Sequence, residues 1–277
     1  MIRRPMVAGM FYHLNPEMLR KQIKECFEHQ LGPKKIQQEK FIGAVVPHAG
    51  YPYSGPIAAW IYSIIPRCNY IILGPNHSGF GSKFGIMKEG EWKTPLGSAR
   101  INEKIARKII ESSPLLEYDV LSHESEHSIE VQLPFLQYRF GKEFSFIPIC
   151  VMNEYPDFDF LEECKIVGEA ITDAIKKEKE KWIILASSDF SHYIPYDFAY
   201  TTDNYVIDSI INLDERDFFA RLQEKNASIC GFGPIAIAIV ASKKLGAKKG
   251  KLIKYATSGD VTFDKGAVVG YASIILK

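Results

Sequence analysis

The stretch Phe41-Ile-Gly-Ala-Val-Val-Pro-His-Ala-Gly-Tyr51 carries most of the fold reading. Its first six residues hold no charge and are rich in apolar side chains, which suits a short strand buried on both faces. Pro47 and Gly50 end that strand and open a loop bearing His48. The pattern recurs twice. Tyr70-Ile-Ile-Leu73 runs into Gly74-Pro-Asn-His77-Ser-Gly79, and Trp182-Ile-Ile-Leu-Ala186 runs into Ser187-Ser-Asp189-Phe-Ser-His192-Tyr193. Ligands of open α/β sheets bind beyond the carboxyl ends of the strands, where such loops meet. His48, His77, Asp189 and His192 are therefore expected to converge.

Helical patterns fill the intervals. The first spans residues 16 to about 30, with Asn15 as cap, Pro16 in the first turn and Gly32-Pro33 as stop. Others are expected over 56–65, 102–112, 123–140 (bent at Pro134), 158–177 and 234–245, with one or two more within 203–222. Further strands are expected over 144–150, 252–257 and 267–276, the last two as a hairpin. The fold class is α/β: a central mixed, partly parallel sheet flanked by helices on both faces. No repeat or break in composition divides the chain, so one domain over 1–277 is expected.

Composition narrows the function classes. Lys and Arg total 34 against 33 Asp and Glu, leaving a net charge of +1 and no basic excess for a nucleic-acid partner. Hydrophobic residues at 46% exclude a disordered chain. Cys26, Cys68, Cys150, Cys164 and Cys230 are odd in number and form no C-x-x-C pair. That suits a reduced, cytoplasmic protein and excludes a zinc ribbon. Residues 41–66 lack charge, but Pro47, Gly50, Pro52, Gly55 and Pro56 interrupt them, so no membrane span is expected. Pro5 and Gly9 break the short apolar start, which argues against a signal peptide.

Cys230 precedes Gly231-Phe-Gly-Pro234 at a helix start, where partial positive charge favours a thiolate, a metal ligand or a nucleophile. The alternative is a small buried hydrophobe. His123-Glu-Ser-Glu-His127 matches H-E-x-x-H. Polar Ser125 and Glu126 between the key residues mark it as an acidic first helical turn rather than a zinc site. His127 and Glu130 remain an i, i+3 pair able to point into one site. Gly74 to Gly79 has P-loop spacing, but Phe80 stands where the lysine is needed, so no nucleotide cofactor is expected.

Several runs carry a resemblance: Arg4-Pro-Met-Val-Ala-Gly-Met-Phe-Tyr12, Pro47-His-Ala-Gly-Tyr-Pro-Tyr-Ser-Gly55, Leu73-Gly-Pro-Asn-His-Ser-Gly79 and Glu126-His-Ser-Ile-Glu-Val-Gln-Leu-Pro134. Ser187-Ser-Asp-Phe-Ser-His192, Cys230-Gly-Phe-Gly-Pro234 and Tyr255-Ala-Thr-Ser-Gly259 complete the set. In order along nearly the whole chain, they resemble the Memo (mediator of cell motility) family. That family is similar in fold to class III extradiol dioxygenases, which hold non-haem Fe(II) with two histidines and one carboxylate. The resemblance implies His48 and His77 as metal ligands, Cys230 in the carboxylate position, and His192 with Asp189 as the catalytic pair. It implies a divalent metal, iron first, with copper or zinc also admitted because a thiolate is softer than a carboxylate. It also implies association with AMMECR1-like and radical-SAM proteins, and, for eukaryotic members, adaptor binding of phosphotyrosine peptides. Three functions follow. One is a metal-dependent redox enzyme, and one is a non-catalytic binding or adaptor module. The third is a metal-free hydrolase with Cys230 as nucleophile and His192–Asp189 as its base and orienting group.

Overall fold

A computed structural model describes residues 1–277. Five parallel strands form the middle of the sheet, in the spatial order Gly97–Ile101, Ser145–Val151, Asn69–Pro75, Trp182–Ser187 and Gly43–Val46. Tyr70 stands opposite Phe146 on one side and Ile183 on the other. Antiparallel strands extend both flanks. Glu91–Thr94 forms a hairpin with Gly97–Ile101, and Ile2–Arg3 adds outside it. At the other flank Val268–Leu276 pairs with Gly43–Val46 and also receives Gly250–Thr257 and His192–Ile194. The result is a mixed 12-stranded sheet with a parallel core, the expected α/β architecture.

The central strands are buried along nearly their whole length because helices cover both faces. Pro16–Glu28, Tyr51–Ile64 and Leu133–Phe140 lie on one face. Glu103–Glu111, Phe158–Ile175, Tyr196–Ile211, Glu215–Lys225 and Phe232–Lys244 pack on the other. Gly43 allows the last of these to close on the sheet, since a Cβ there would lie 2.3 Å from Ser242 Oγ. The Asn15 side chain accepts from the backbone of Glu17 and Met18, as the sequence indicates for an N-cap.

Four segments differ from expectation. The helix expected from residue 56 begins at Tyr51, so the Pro- and Gly-containing stretch ahead of it is helical. Pro52 falls in the first turn, where its missing N–H costs nothing, and the Tyr51 N–H is taken by Phe11 O at 2.8 Å. The helix expected over 123–140 is broken into Leu121–Glu124, a 3₁₀ turn at Glu130–Gln132 and Leu133–Phe140. The break precedes Pro134: the Glu126 carboxylate captures the backbone N–H groups of His127 and Ser128, which competes with helix formation. After the loop that bears His77 comes a short strand with no expected counterpart, Phe84–Ile86, antiparallel to Ser145–Val151. A short helix, Ser258–Thr262, closed by a Thr257/Asp260 capping box, joins the last two strands. No helix is long and apolar enough to cross a membrane. All five cysteines are free.

Candidate metal centre

Gly43–Val46, Trp182–Ser187 and Asn69–Pro75 are neighbours in the sheet, so the loops at their carboxyl ends share one edge. His48 leaves the first, Asp189 the second and His77 the third. The His48 and His77 rings lie 5.2 Å apart, nearly perpendicular. His48 Nε2 is 3.2 Å from Cys230 Sγ and 3.9 Å from Asp189 Oδ2. One ligand atom each from His48, His77 and Cys230 fall within 4.8 Å of one another. His48 is buried, Cys230 half-buried and His77 exposed, so the cluster opens to solvent on the His77 side.

Cys230 arrives on the turn before Phe232–Lys244. That turn passes against the end of Trp182–Ser187: a Cβ on Gly231 would meet Ser187 O and Ser188 Cβ at 2.5 Å, which only glycine avoids. The Gly231 N–H donates to Ser188 Oγ at 2.9 Å, and the Asn153 side chain donates to Cys230 O while accepting from the Gly233 N–H. These contacts fix the sulfur beside His48.

Each polar neighbour has a defined contact. Asp189 is buried; its Oδ1 accepts the His48 N–H at 2.8 Å, and its own N–H donates to Cys230 Sγ at 3.3 Å. Burial raises the Asp189 carboxyl from 3.8 to about 6, against the lowering effect of that hydrogen bond and of His192. Burial, reinforced by the Asp189 charge, pushes the Cys230 thiol well above its usual range. At Cys230 desolvation thus opposes the helix-end charge that favours a thiolate. Burial and the charges of His127, His77 and His192 push the His48 imidazole well below its usual range, which keeps it neutral.

The structure sets His192 on the short edge strand His192–Ile194, with Nδ1 2.7 Å from Ser228 O. Cys230 Sγ has its hydrogen-bonding contacts with His48, Ser188 and Asp189. Glu130 does not point into the cluster. It is buried as the partner of Arg3, with 2.5 Å between Arg3 Nη1 and Glu130 Oε2, and it also accepts from Met6, Val7 and Tyr12. His123 is buried against Trp92, with Nε2 at Gly85 O, whereas His127 lies at the cluster. The two histidines of H-E-x-x-H thus occupy different surroundings.

Three site residues, Glu126, Ser187 and Gln132, escape the sequence reading, and His127 is expected only as the i, i+3 partner of Glu130 able to point into one site. His127 stacks on His77 at 4.7 Å, stands perpendicular to His48 at 5.5 Å and packs on Phe11. Glu126 Oε1 lies 3.0 Å from His77 Nδ1, and its Oε2 accepts the His77 N–H at 2.6 Å. Burial works to raise the Glu126 carboxyl, but the His77 hydrogen bond and the charges of His77 and His127 hold it down to about 2. Ser187 Oγ lies 3.0 Å from His48 Nδ1, and Gln132 Nε2 donates to that oxygen at 2.8 Å. The available signal was location: all but Ser187 fall in the single run 126–134, and Ser187 opens the run 187–192.

The donor set suits a borderline or soft divalent ion. Ligands to one such ion sit about 2.0–2.3 Å from it, hence roughly 3–4 Å from one another. With each imidazole's Nδ1 hydrogen-bonded outside the donor set, Nε2 is the ligand atom left to each ring, that of His48 facing Cys230 Sγ. A cation between the three would also offset the burial of negative charge on Asp189 and Cys230.

Comparison with known proteins identifies the lineage. The family profile described as Memo-like protein matches residues 3–275. The chain is 44% identical over 287 residues to a MEMO1 family protein of Methanopyrus kandleri, covering 100% of this chain and 99% of the relative. It is 46% identical over 278 residues to one from Methanosarcina mazei, with 100% and 99% covered. In fold it is similar to an uncharacterised Escherichia coli K12 protein of known crystal structure. There the TM-score is 0.52 and the identity 12%, with 85% of this chain and 100% of the other covered. With buried strands, loop runs and cluster falling inside one full-length match, the chain belongs to the Memo-like (MEMO1) family.

Proposed function

We propose that this protein is a metal-dependent redox enzyme whose ion is held by His48 Nε2, His77 Nε2 and Cys230 Sγ. The observation that carries the proposal is that one ligand atom each from His48, His77 and Cys230 lie within 4.8 Å of one another at the carboxyl edge of a parallel sheet. A bound redox-active ion such as iron or copper would supply Lewis acidity and electron transfer, with coordination positions left for substrate. The chain's own residues do the rest. Asp189 fixes the His48 backbone through its N–H and borders the sulfur. His192, its Nδ1 engaged by Ser228 O, keeps Nε2 for a proton of the substrate at the rim. Phe11 packs on His127, which in turn stacks on the His77 ring and holds it.

Protein purified anaerobically without a histidine tag should carry about one redox-active metal ion per chain, measured by elemental analysis. The ion should change oxidation state with dithionite and ferricyanide. His48→Ala and Cys230→Ala should lose it. A metal-free protein, or redox-inert zinc that no iron or copper displaces, contradicts the proposal.

A further inference from the structure

Around the two imidazoles lies a closed set of hydrogen bonds whose directions can be deduced one by one. Gln132 comes first. One end of its amide faces Pro47 O at 3.1 Å and Ser187 Oγ at 2.8 Å, and the other faces Tyr62 Oη at 2.5 Å. A carbonyl only accepts, so the end facing Pro47 is the NH₂ group, and the opposite amide assignment would set two acceptors against each other. Ser187 comes next. Its Oγ lies 2.7 Å from Ser128 O, another obligate acceptor, so the single hydroxyl proton is committed there. One Oγ lone pair takes a proton from Gln132. The other faces His48 Nδ1 at 3.0 Å and can only accept. His48 must therefore carry its proton on Nδ1. Gln132, Ser187, Ser128, Tyr62 and His48 are all buried, so water does not substitute for a missing partner.

His77 reaches the same state by a different route. Its Nδ1 faces Glu126 Oε1, which also accepts the N–H groups of His127 and Ser128 at 2.9 and 2.7 Å. Three backbone N–H groups already set both Glu126 oxygens as acceptors, so the donor in the ring contact is Nδ1–H.

We propose that Ser187 and Glu126 are positioning residues that lock His48 and His77 as Nδ1–H tautomers before any ion arrives, so that the Nε2 lone pair of each ring stays open for it. Gln132 is the residue that orients Ser187. The inference rests on the proposed metal site for its purpose but not for its geometry. Tautomer and ring orientation of metal-binding histidines are generally set by the partner of the second nitrogen. Here one partner is a neutral hydroxyl and the other a carboxylate, so the two ligands differ in basicity.

Metal-free, ¹⁵N-histidine-labelled full-length protein provides the test, read by long-range ¹H–¹⁵N correlation at pH 7.5, with His48→Gln and His77→Gln spectra for assignment. Both rings should show a protonated Nδ1 and a bare Nε2 as single, unaveraged forms. Ser187→Ala should leave His77 unchanged, shift His48 toward a tautomer mixture, and weaken Zn²⁺ binding about 10- to 100-fold in a competition titration. Should Ser187→Ala fail to fold, the wild-type spectrum still decides, because a protonated Nε2 on either ring overturns the proposal. A folded Ser187→Ala protein with wild-type His48 shifts and wild-type Zn²⁺ affinity also overturns it. Locked tautomers in a wild type that binds no metal would support the lock and reject the metal reading instead.

Discussion

Replacing Glu130 by alanine should be among the most destabilising single changes in this chain. Its carboxylate is fully buried and accepts from four donors: Arg3 Nη1, the N–H groups of Met6 and Val7, and the Tyr12 hydroxyl. Removing one member of a buried ion pair costs about 3–5 kcal/mol, because the remaining charge is left uncompensated. Arg3 would keep its contacts to His123 O and Glu126 O and its position 4.1 Å over the Trp92 ring, which moderates the loss. Two backbone N–H groups and a phenol would lose their acceptor, at about 1 kcal/mol or more each where water cannot reach. A loss of about 4 kcal/mol is expected, a large share of the 5–15 kcal/mol typical of a folded domain. Urea unfolding followed by tryptophan fluorescence measures it as a lower midpoint at unchanged slope. Adding Arg3→Met should recover only part of the loss, since Met6, Val7 and Tyr12 stay unpaired. A loss below about 1 kcal/mol, or full recovery in the double variant, would refute the view that Glu130 ties the N-terminal segment to the wall of the cluster.

Two further predictions concern the frame around the site. Asp203 is buried and accepts from Ser191 and Tyr255, yet burial raises its carboxyl from 3.8 to about 6. The folded state thus holds this proton more tightly than the unfolded state, and the associated stability, about 3 kcal/mol, is present below pH 3.8 and lost as pH rises to about 6. Asp203→Asn should flatten the stability profile across that window; an unchanged profile counts against the assignment. Gly55→Ala would set a Cβ 2.5 Å from Cys26 Sγ where two helices touch. Overpacking of about 1–3 kcal/mol should exceed the helix-propensity gain of about 1 kcal/mol and lower Tm. Cys26→Ala should restore Tm in that background, and additive effects of the two changes would contradict the contact.

The parallel core was legible because strands buried on both faces must be apolar throughout, as residues 41–46, 70–73 and 182–186 are. The placement of His48, His77 and Asp189 at one edge followed from the same three strands. The helix start at Tyr51 was not legible, because Pro52 reads as a breaker unless its place in the first turn is known. Glu126 reads in sequence as a first-turn helix acid. Its actual role depends on the loop at His77, 49 residues away in sequence, which no local pattern carries. Glu130 was misread for a related reason: its partner Arg3 lies 127 residues earlier. Cys230 stands beside His48 and His77 as the resemblance implies, and the burial that opposes its helix-end charge is a property no local pattern carries.

X-ray absorption at the metal edge of the protein as isolated tests most directly whether His48, His77 and Cys230 hold one ion. The account predicts two nitrogen scatterers with imidazole outer-shell features at about 2.0–2.1 Å and one sulfur at about 2.3 Å, by analogy with borderline divalent ions. The sulfur contribution should vanish in Cys230→Ser, and one imidazole should be lost in His77→Ala. A shell of oxygen and nitrogen alone in the wild type, or a sulfur shell that persists in Cys230→Ser, would contradict it.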